Sequence, residues 1–520
     1  MPSPAPRTFD APFDRPEDAA GSWTHDPMHF PHPLPPLSQD MMLNVFLTAF
    51  GYRGTFVQGY LFTEGAGPPP PTEEVLARGA VTIWNEDFVP SITAFCRDVR
   101  DRDYSGLTAP QLVEALAETT AKSAEQFRYT MIVVFPFMGP TLGLMGFSEQ
   151  VLGAEGPMLV ASVLQAATND SALAGEGLGD LIALAATSAE LRDAVSSGDL
   201  NQIRASAGGP AFMAAFERYL SEYGWRVDDW SLMHKPTWAE NPQVPLRMLS
   251  LYAGDPERSP AKAMERSQAQ RKAAEAELQR RLPAEARPQF EGMLAAASQH
   301  VPMSESRARW QLTLAGVLRI PAIALGHKLV EAGALAEAND VFYLSLDELR
   351  AVAASPTPAT KELVTARKQE LAGQLKLQAP PFLGVPPSME DMPPEAQAVM
   401  TRFFGFGVTP STEARIIKGN AASKGVVTGR ARVIRTLDQS DLLQPGEILV
   451  CGLTAAPWTP LFAIAGGVVT DTGGILSHSA ICAREYAIPC VVGTQVGTRQ
   501  IPDGALISVN GDTGIVEILG

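Results

Sequence analysis

The sequence predicts a multidomain protein in which a large, mainly α-helical part is followed by a smaller part of α/β type. Three observations carry that prediction. At 520 residues the chain is too long for one hydrophobic core. Helix signals dominate from about residue 40 to 375. Beyond Ser411 the texture turns into short apolar runs punctuated by Gly, Pro, Asn and Asp, the pattern of strands and turns.

Taken in order, residues 1–20 read as an extended arm, without the basic start and apolar run of a signal peptide. The helical domain is expected over 21–378. In "LTAPQLVEAL", Thr108 is placed to cap a helix, with Gln111 completing a capping box and Leu107 and Leu112 a hydrophobic staple. The uncharged stretch 129–147 approaches the length of a membrane span. Its Pro136, Gly139, Pro140, Gly143 and Gly146 argue instead for buried, irregular interior. "SPAKAMERSQAQRKAAEAELQRRL" (259–282) is rich in helix formers and is stopped by Pro283. Pro321 marks a kink or boundary in a later helix. The six prolines of "APPFLGVPPSMEDMPPEAQ" make 379–410 a semi-rigid linker. In 411–520, "GVVTGRARVI", "GEILVCG", "GGVVTD", "IPCVVGT" and "ALISVNGDTGIVEI" read as strands, with one helix at about 478–486.

Composition narrows the function classes. The chain is 45% hydrophobic and 19% charged, ordinary for a soluble globular protein. A net charge of −16 leaves no surplus of Lys and Arg for nucleic acid or for an anionic membrane surface, so neither is expected as a partner. The four cysteines, Cys96, Cys451, Cys482 and Cys490, form no CxxC pair and fit a reducing, cytoplasmic compartment.

Only seven histidines occur, and one follows a glycine turn in "DTGGILSHSAICARE" (471–485). Gly473 and Gly474 allow a backbone to approach a ligand closely. Ser477 or Ser479 can cap the helix that follows, whose first amides and dipole make an anion site. A neutral imidazole at His478 is a nucleophile that can take up a phosphoryl group and pass it on. The same residues also suit a histidine that does no more than cap a helix.

The flanking sequence separates these readings. From about Ile416 to Gly520 the chain resembles the phosphohistidine, or swivelling, domain of the phosphoenolpyruvate-utilising enzymes. That superfamily includes phosphoenolpyruvate synthase, pyruvate phosphate dikinase and rifampicin phosphotransferase. The resemblance runs in family order through "GNAASKGVVTGRARVI", "PGEILVCGLTAAPWTPLF", "AGGVVTDTGGILSHSAICAREYAIPCVVGT" and "IPDGALISVNGDTGIVEI". It implies a β/β/α phosphohistidine domain in which His478 is phosphorylated and Thr472, Gly473, Gly474 and Ser477 line the phosphoryl group. It makes Arg484 a partner for phosphate or, equally, for Glu485. One departure lies at 454–460, "TAAPWTP", where the family often has Thr-Asp-Pro before the Trp-Thr-Pro element.

The helical part resembles the central domain of rifampicin phosphotransferase-like proteins at "GSWTHDPMHFPHPLPPL", "YLSEYGWRVDDWSLMHKPTWAENP" and "LVEAGALAEANDVFYLSLDELR". This makes it the acceptor-binding domain. Trp225 stands where the family usually has His, before Arg226. Ser304 stands where it commonly has Arg, before Glu305. These positions, with Arg307 and Lys235, are the acceptor-site candidates, and Trp225 suits a small flat molecule. A solvated lysine and a helix-surface ion pair are the ordinary alternatives for Lys235 and Arg307. His25, His29 and His32 have a spacing that could hold a metal, but their interleaved prolines read as a structural turn, and no metal is assigned.

Full-length family members carry an ATP-grasp domain ahead of the central domain, and neither that domain nor a P-loop is read in these residues. The resemblance therefore implies Mg2+ and ATP bound on a separate ATP-grasp subunit that charges His478. This split arrangement resembles phenylphosphate synthase. The expected acceptor is a small aromatic hydroxyl, a phenol or a 4-hydroxyphenyl ketone, in aromatic-compound catabolism. A rifampicin-like antibiotic phosphotransferase subunit and a non-catalytic regulatory or scaffold subunit are the alternatives.

Overall fold

The structure is a computed structural model that describes residues 13, 19–27, 29–43, 45, 49, 51, 53–65, 69–164, 170–253, 260–377, 379–384, 394–405, 407, 411, 413 and 415–519. Most of the expected N-terminal arm, and residues 385–393, 406 and 408–410 of the expected linker, lie outside the described residues. The chain condenses into two compact units. The first comprises 1–136, 229–236 and 310–390, and the second 137–228, 237–309 and 391–520. These limits differ from the expected 20, 378 and 410: the helical part contributes to both units, and residues 411–520 fold together with a share of its helices.

The first unit contains a sheet that the helix-dominated reading misses. Strands β1 (Ser22–His25), β2 (Arg53–Val57), β3 (Tyr60–Glu64) and β4 (Phe382–Gly384) pair in the order β2-β3-β1-β4. Trp23 and Phe62 are fully buried beneath them. β4 lies inside the stretch expected to be linker, and its Leu383 stands opposite Trp23. Helix Ala109–Ile132 starts as expected, with the Gln111 side chain accepting from the Thr108 amide at 2.9 Å. Helix Arg319–Glu331 places Pro321 in its first turn, where a missing N–H costs nothing. Fully buried Arg319 holds this unit together by donating to the Met233 carbonyl at 2.7 Å and to Asn339 at 3.1 Å.

Residues 129–147 are not irregular. After a break at Val133 they continue as helix Val134–Leu152, with Pro140 inside it. A proline there costs about 3 kcal/mol. Phe137, Leu144 and Met145 are each fully buried, and at roughly 1.5–3 kcal/mol apiece their burial outweighs that cost. The runs Ala109–Leu152 and Arg287–Glu331 are long and apolar enough to cross a membrane by length and composition alone. In the fold, 56% and 61% of their apolar windows are buried within the protein, as in interior helices.

The second unit is built on a mixed sheet in the order β5-β12-β11-β7-β8-β9-β10-β6. Its strands are β5 (Ile416–Lys418), β6 (Asn420–Ser423), β7 (Val426–Val433), β8 (Ile448–Cys451), β9 (Gly467–Thr470), β10 (Cys490–Val492), β11 (Leu506–Asn510) and β12 (Ile515–Ile518). β7 to β10 run parallel and the flanking strands are antiparallel. The central strands are apolar along their whole length because both faces are covered. On one face Ile448, Val450, Val469 and Val491 pack against Ile507, Val509 and Val516. On the other, Leu449, Cys451 and Val468 share a core with Phe462, Ala483 and, from the helical part, Phe212, Phe216 and Leu249.

A Cβ at Gly326 would lie 2.1 Å from the Ala338 carbonyl, so helix Arg319–Glu331 meets the following turn only across a glycine. Gly326→Ala is expected to lower the stability of the first unit by about 2 kcal/mol or more, read as a lower denaturant midpoint for that unit's transition.

Candidate functional site

Two loops leave the carboxyl ends of neighbouring parallel strands, where α/β sheets place their ligands. β8 leads to the short helix Thr459–Ile464, and β9 to the 471–474 turn and helix His478–Glu485. Ser477 is the N-cap, its hydroxyl accepting from the Ala480 amide at 3.4 Å. His478 is thereby the first helical residue, and its side chain is 13% exposed.

The ring has distinct partners on its two nitrogens. Nδ1 lies 3.0 Å from Glu305 Oε2, on helix Arg287–Val317. Nε2 lies 3.4 Å from the Thr459 hydroxyl and 3.3 Å from Cys482 Sγ. An ionised carboxylate only accepts, so Nδ1 is the donor to Glu305, and a neutral ring held this way has its lone pair at Nε2. Burial pushes the Cys482 thiol well above its usual range, so it stays protonated and packs against the ring as a neutral group.

The glycine turn is arranged otherwise than the sequence suggests. Gly473 adopts a φ of +103°, open to glycine, and its amide donates to the Phe404 carbonyl at 3.2 Å. The Gly474 and Leu476 amides donate to Phe403 at 2.7 Å and Arg402 at 2.9 Å. A Cβ at Gly474 would stand 2.3 Å from the Arg402 carbonyl. The Gly473 and Gly474 amides, expected to line a phosphoryl group, are thus engaged by carbonyls of the segment 402–404. The Thr472 hydroxyl donates to the Gly452 carbonyl at 3.1 Å.

Two buried arginines stand at the site. Arg484 donates from Nη1 to the Ala422 carbonyl at 2.9 Å, while its Nε has no hydrogen-bond partner. Arg307 is equally buried on the Glu305 helix. Burial pushes both guanidinium groups down to about 10, against the pull of Glu305 on Arg307 and, among other groups, of Glu485 on Arg484. Both remain cationic at neutral pH.

These groups open onto a cavity of about 100 Å³. Its walls are apolar, with Phe137, Met145, Leu164, Val301, Phe403 and Ile481 among them. Its polar lining comprises His478, Glu305, Arg307, Arg484, Glu485, Ser304 and Thr141. Helix-borne Glu305 and Arg307 thus line one cavity with His478 and Arg484. Trp225 and Arg226 are not among the lining residues. Trp225 is half-buried in the turn after helix Gly209–Tyr223, and Arg226 donates from Nε to the Tyr223 carbonyl at 3.1 Å. Lys235 belongs to the first unit and is exposed.

In the first unit, His25 faces the Phe30 carbonyl at 3.0 Å, His29 stacks on Trp230 and His32 donates from its amide to Ser231 at 3.3 Å. Among the described residues no group of three His, Cys, Asp or Glu side chains is gathered to hold a metal. Sequence reasoning missed Thr459, Cys482, Thr141 and Phe403. Cys482 had a signal, since it lies four positions after His478 on the same helix face. The others reach the site only through tertiary packing.

Comparison with known proteins follows the same geometry. Residues 443–514 match the family described as PEP-utilising enzyme, mobile domain, and include His478. Residues 129–305 match the rifampicin phosphotransferase fourth domain and end on Glu305. Both matches support the phosphoenolpyruvate-utilising superfamily, in its rifampicin phosphotransferase-like form, as the family of these two stretches. It is 30% identical to the chondramide synthase cmdD of Chondromyces crocatus over 99% of this chain and 14% of that protein. It is 32% identical to a rifampicin phosphotransferase of Streptomyces sviceus over 62% of this chain and 36% of that one. For a rifampicin phosphotransferase of Bacillus subtilis the identity is 35%, over 37% and 20% respectively. The chain thus spans well under half the length of these relatives. The contact between Glu305 and His478 joins the two matched stretches of this family.

Gly474→Ala is expected to detach segment 402–404 from the turn. Hydrogen exchange should then be about tenfold faster or more at the Gly473 and Leu476 amides, whose bonds are lost.

Proposed function

We propose that these residues hold the phosphohistidine carrier and the acceptor pocket of an ATP-dependent phosphotransferase. The observation that carries this reading is the His478 ring, held at Nδ1 by Glu305 with Nε2 left as the nucleophile, beside an apolar cavity. In the first half-reaction Nε2 attacks the γ-phosphorus of ATP, bound with Mg2+ on a separate ATP-grasp subunit. An N–P bond forms as the P–O bond to ADP breaks, and Glu305 stabilises the resulting cationic ring. For charging, the domain 411–520 swings out on its connector, parting the core it shares with the helices around Phe212 and Leu249, and it swings back to present phospho-His478 to the cavity.

In the second half-reaction an acceptor hydroxyl attacks the phosphorus, and the N–P electron pair returns to Nε2. Glu305, which also lines the cavity, is the carboxylate assigned to take the acceptor's proton. Arg484 and Arg307 offset the phosphoryl charge, which counts for more in a buried site than in water. The apolar walls and the modest cavity favour a single-ring phenol, such as a 4-hydroxyphenyl ketone, over a macrocyclic antibiotic. A phenol ordinarily ionises near pH 10, so it needs less help than an aliphatic alcohol. The reading places the protein in the cytoplasm, in aromatic-compound catabolism, as in phenylphosphate synthase.

Incubation with an ATP-grasp partner and ATP labelled at the γ-phosphate is expected to give acid-labile label on His478. Glu305→Gln should still accept label but discharge it to phenol about a hundredfold more slowly. Phosphoryl transfer by His478→Ala at the wild-type rate would falsify the carrier role.

A further inference from the structure

The acceptor cavity holds a buried hydroxyl that phosphoryl transfer does not use. Thr141, on helix Val134–Leu152, lines the same cavity as His478 and is only 4% exposed. Its hydroxyl has no hydrogen-bond partner. Several buried hydroxyls on helices are satisfied by donating backwards, whereas Ser38 and Ser123, like Thr141, are not; of these three only Thr141 lines the cavity. Thr119 and Thr120 donate to the carbonyls four residues before them, and Thr130 and Ser148 to those three before, at 2.6–2.8 Å. Thr141 does not, although it lies only seven positions from Ser148 on the same helix. A buried hydroxyl left unmatched is costly, and in a pocket it is satisfied by what the pocket binds. The neighbouring unpartnered atom, Arg484 Nε, carries positive charge and suits anionic phosphoryl oxygens. The Thr141 hydroxyl is neutral and suits a neutral oxygen.

We infer that the acceptor is bifunctional: besides the hydroxyl that is phosphorylated, it carries a second, uncharged hydrogen-bonding group, of carbonyl type, that accepts from Thr141. This rests on the proposed acceptor site and adds a specificity-determining residue to it. Sites built to hydrogen-bond a substrate group discriminate strongly against the analogue that lacks it, because the buried partner is then left unpaired.

The test is direct binding to the chain, with no phosphoryl transfer required. The probes are 4-hydroxyacetophenone and 4-ethylphenol, alike in shape and differing in the carbonyl oxygen. Titration calorimetry is expected to show wild-type protein favouring the ketone by about tenfold, the worth of one good hydrogen bond. That preference should fall to about one in Thr141→Val and persist in Thr141→Ser, which keeps the hydroxyl. Equal or absent binding of the two probes by wild type overturns the inference, and so does a Thr141→Val protein that retains the preference. The wild-type comparison decides the matter even if the valine variant does not fold. Failure here leaves labelling of His478 standing, whereas loss of labelling strikes the carrier role itself.

Discussion

The hydrogen bond between Glu305 and Nδ1 of His478 is the constraint on which the rest of the site depends. It fixes the ring's tautomer and its orientation together, so that Nε2 is the nitrogen with a lone pair to give. It also settles how a carboxylate can sit nearly buried on an interior helix: the imidazole is its partner, and becomes a cationic one whenever the ring is charged or phosphorylated. The two residues come from the two stretches that match the superfamily's domains, so the contact joins those stretches.

The sheet makes this contact possible. Two consecutive crossovers, from β8 to β9 and from β9 to β10, bring Thr459 and His478 to the same edge of the parallel strands. Their helices bury Phe462 and Ala483 in one core with the helices around Phe212 and Leu249. The His478 helix is therefore supported from below by a shared core, and variation at the site is left to side chains that reach it from elsewhere. Those side chains divide in chemistry. Charged groups gather around the ring, while the remaining walls are apolar, an arrangement that strengthens each charge by excluding water.

The legibility of this architecture in sequence was uneven. The strands 425–434, 446–452, 466–471 and 488–494 were readable because buried parallel strands are short continuous apolar runs between glycines and prolines. The capping box at Thr108 and the ends of helix Pro260–Arg281 were readable because caps are local. The N-terminal sheet was not, since its strands are short and one of them, β4, comes from a distant, proline-rich stretch. Helix Val134–Leu152 was misread because local proline and glycine cost was weighed without the burial of Phe137, Leu144 and Met145 that offsets it.

The same division runs through the site. Sequence alone placed the Ser477 cap and the anion-favouring helix start, because Gly473, Gly474, Ser477 and His478 are neighbours, and the resemblance of the flanking chain singled out His478. It also placed Glu305, Arg307 and Arg484 among the candidates. Only the tertiary structure decided that the glycine amides are engaged by residues 402–404, that Trp225 and Arg226 stand outside the cavity lining while Thr141 stands within it, and that Thr459 meets the His478 ring. The reason is distance along the chain. The bond that orients the ring spans 173 positions, and no local pattern encodes which face of a remote helix will be turned toward it.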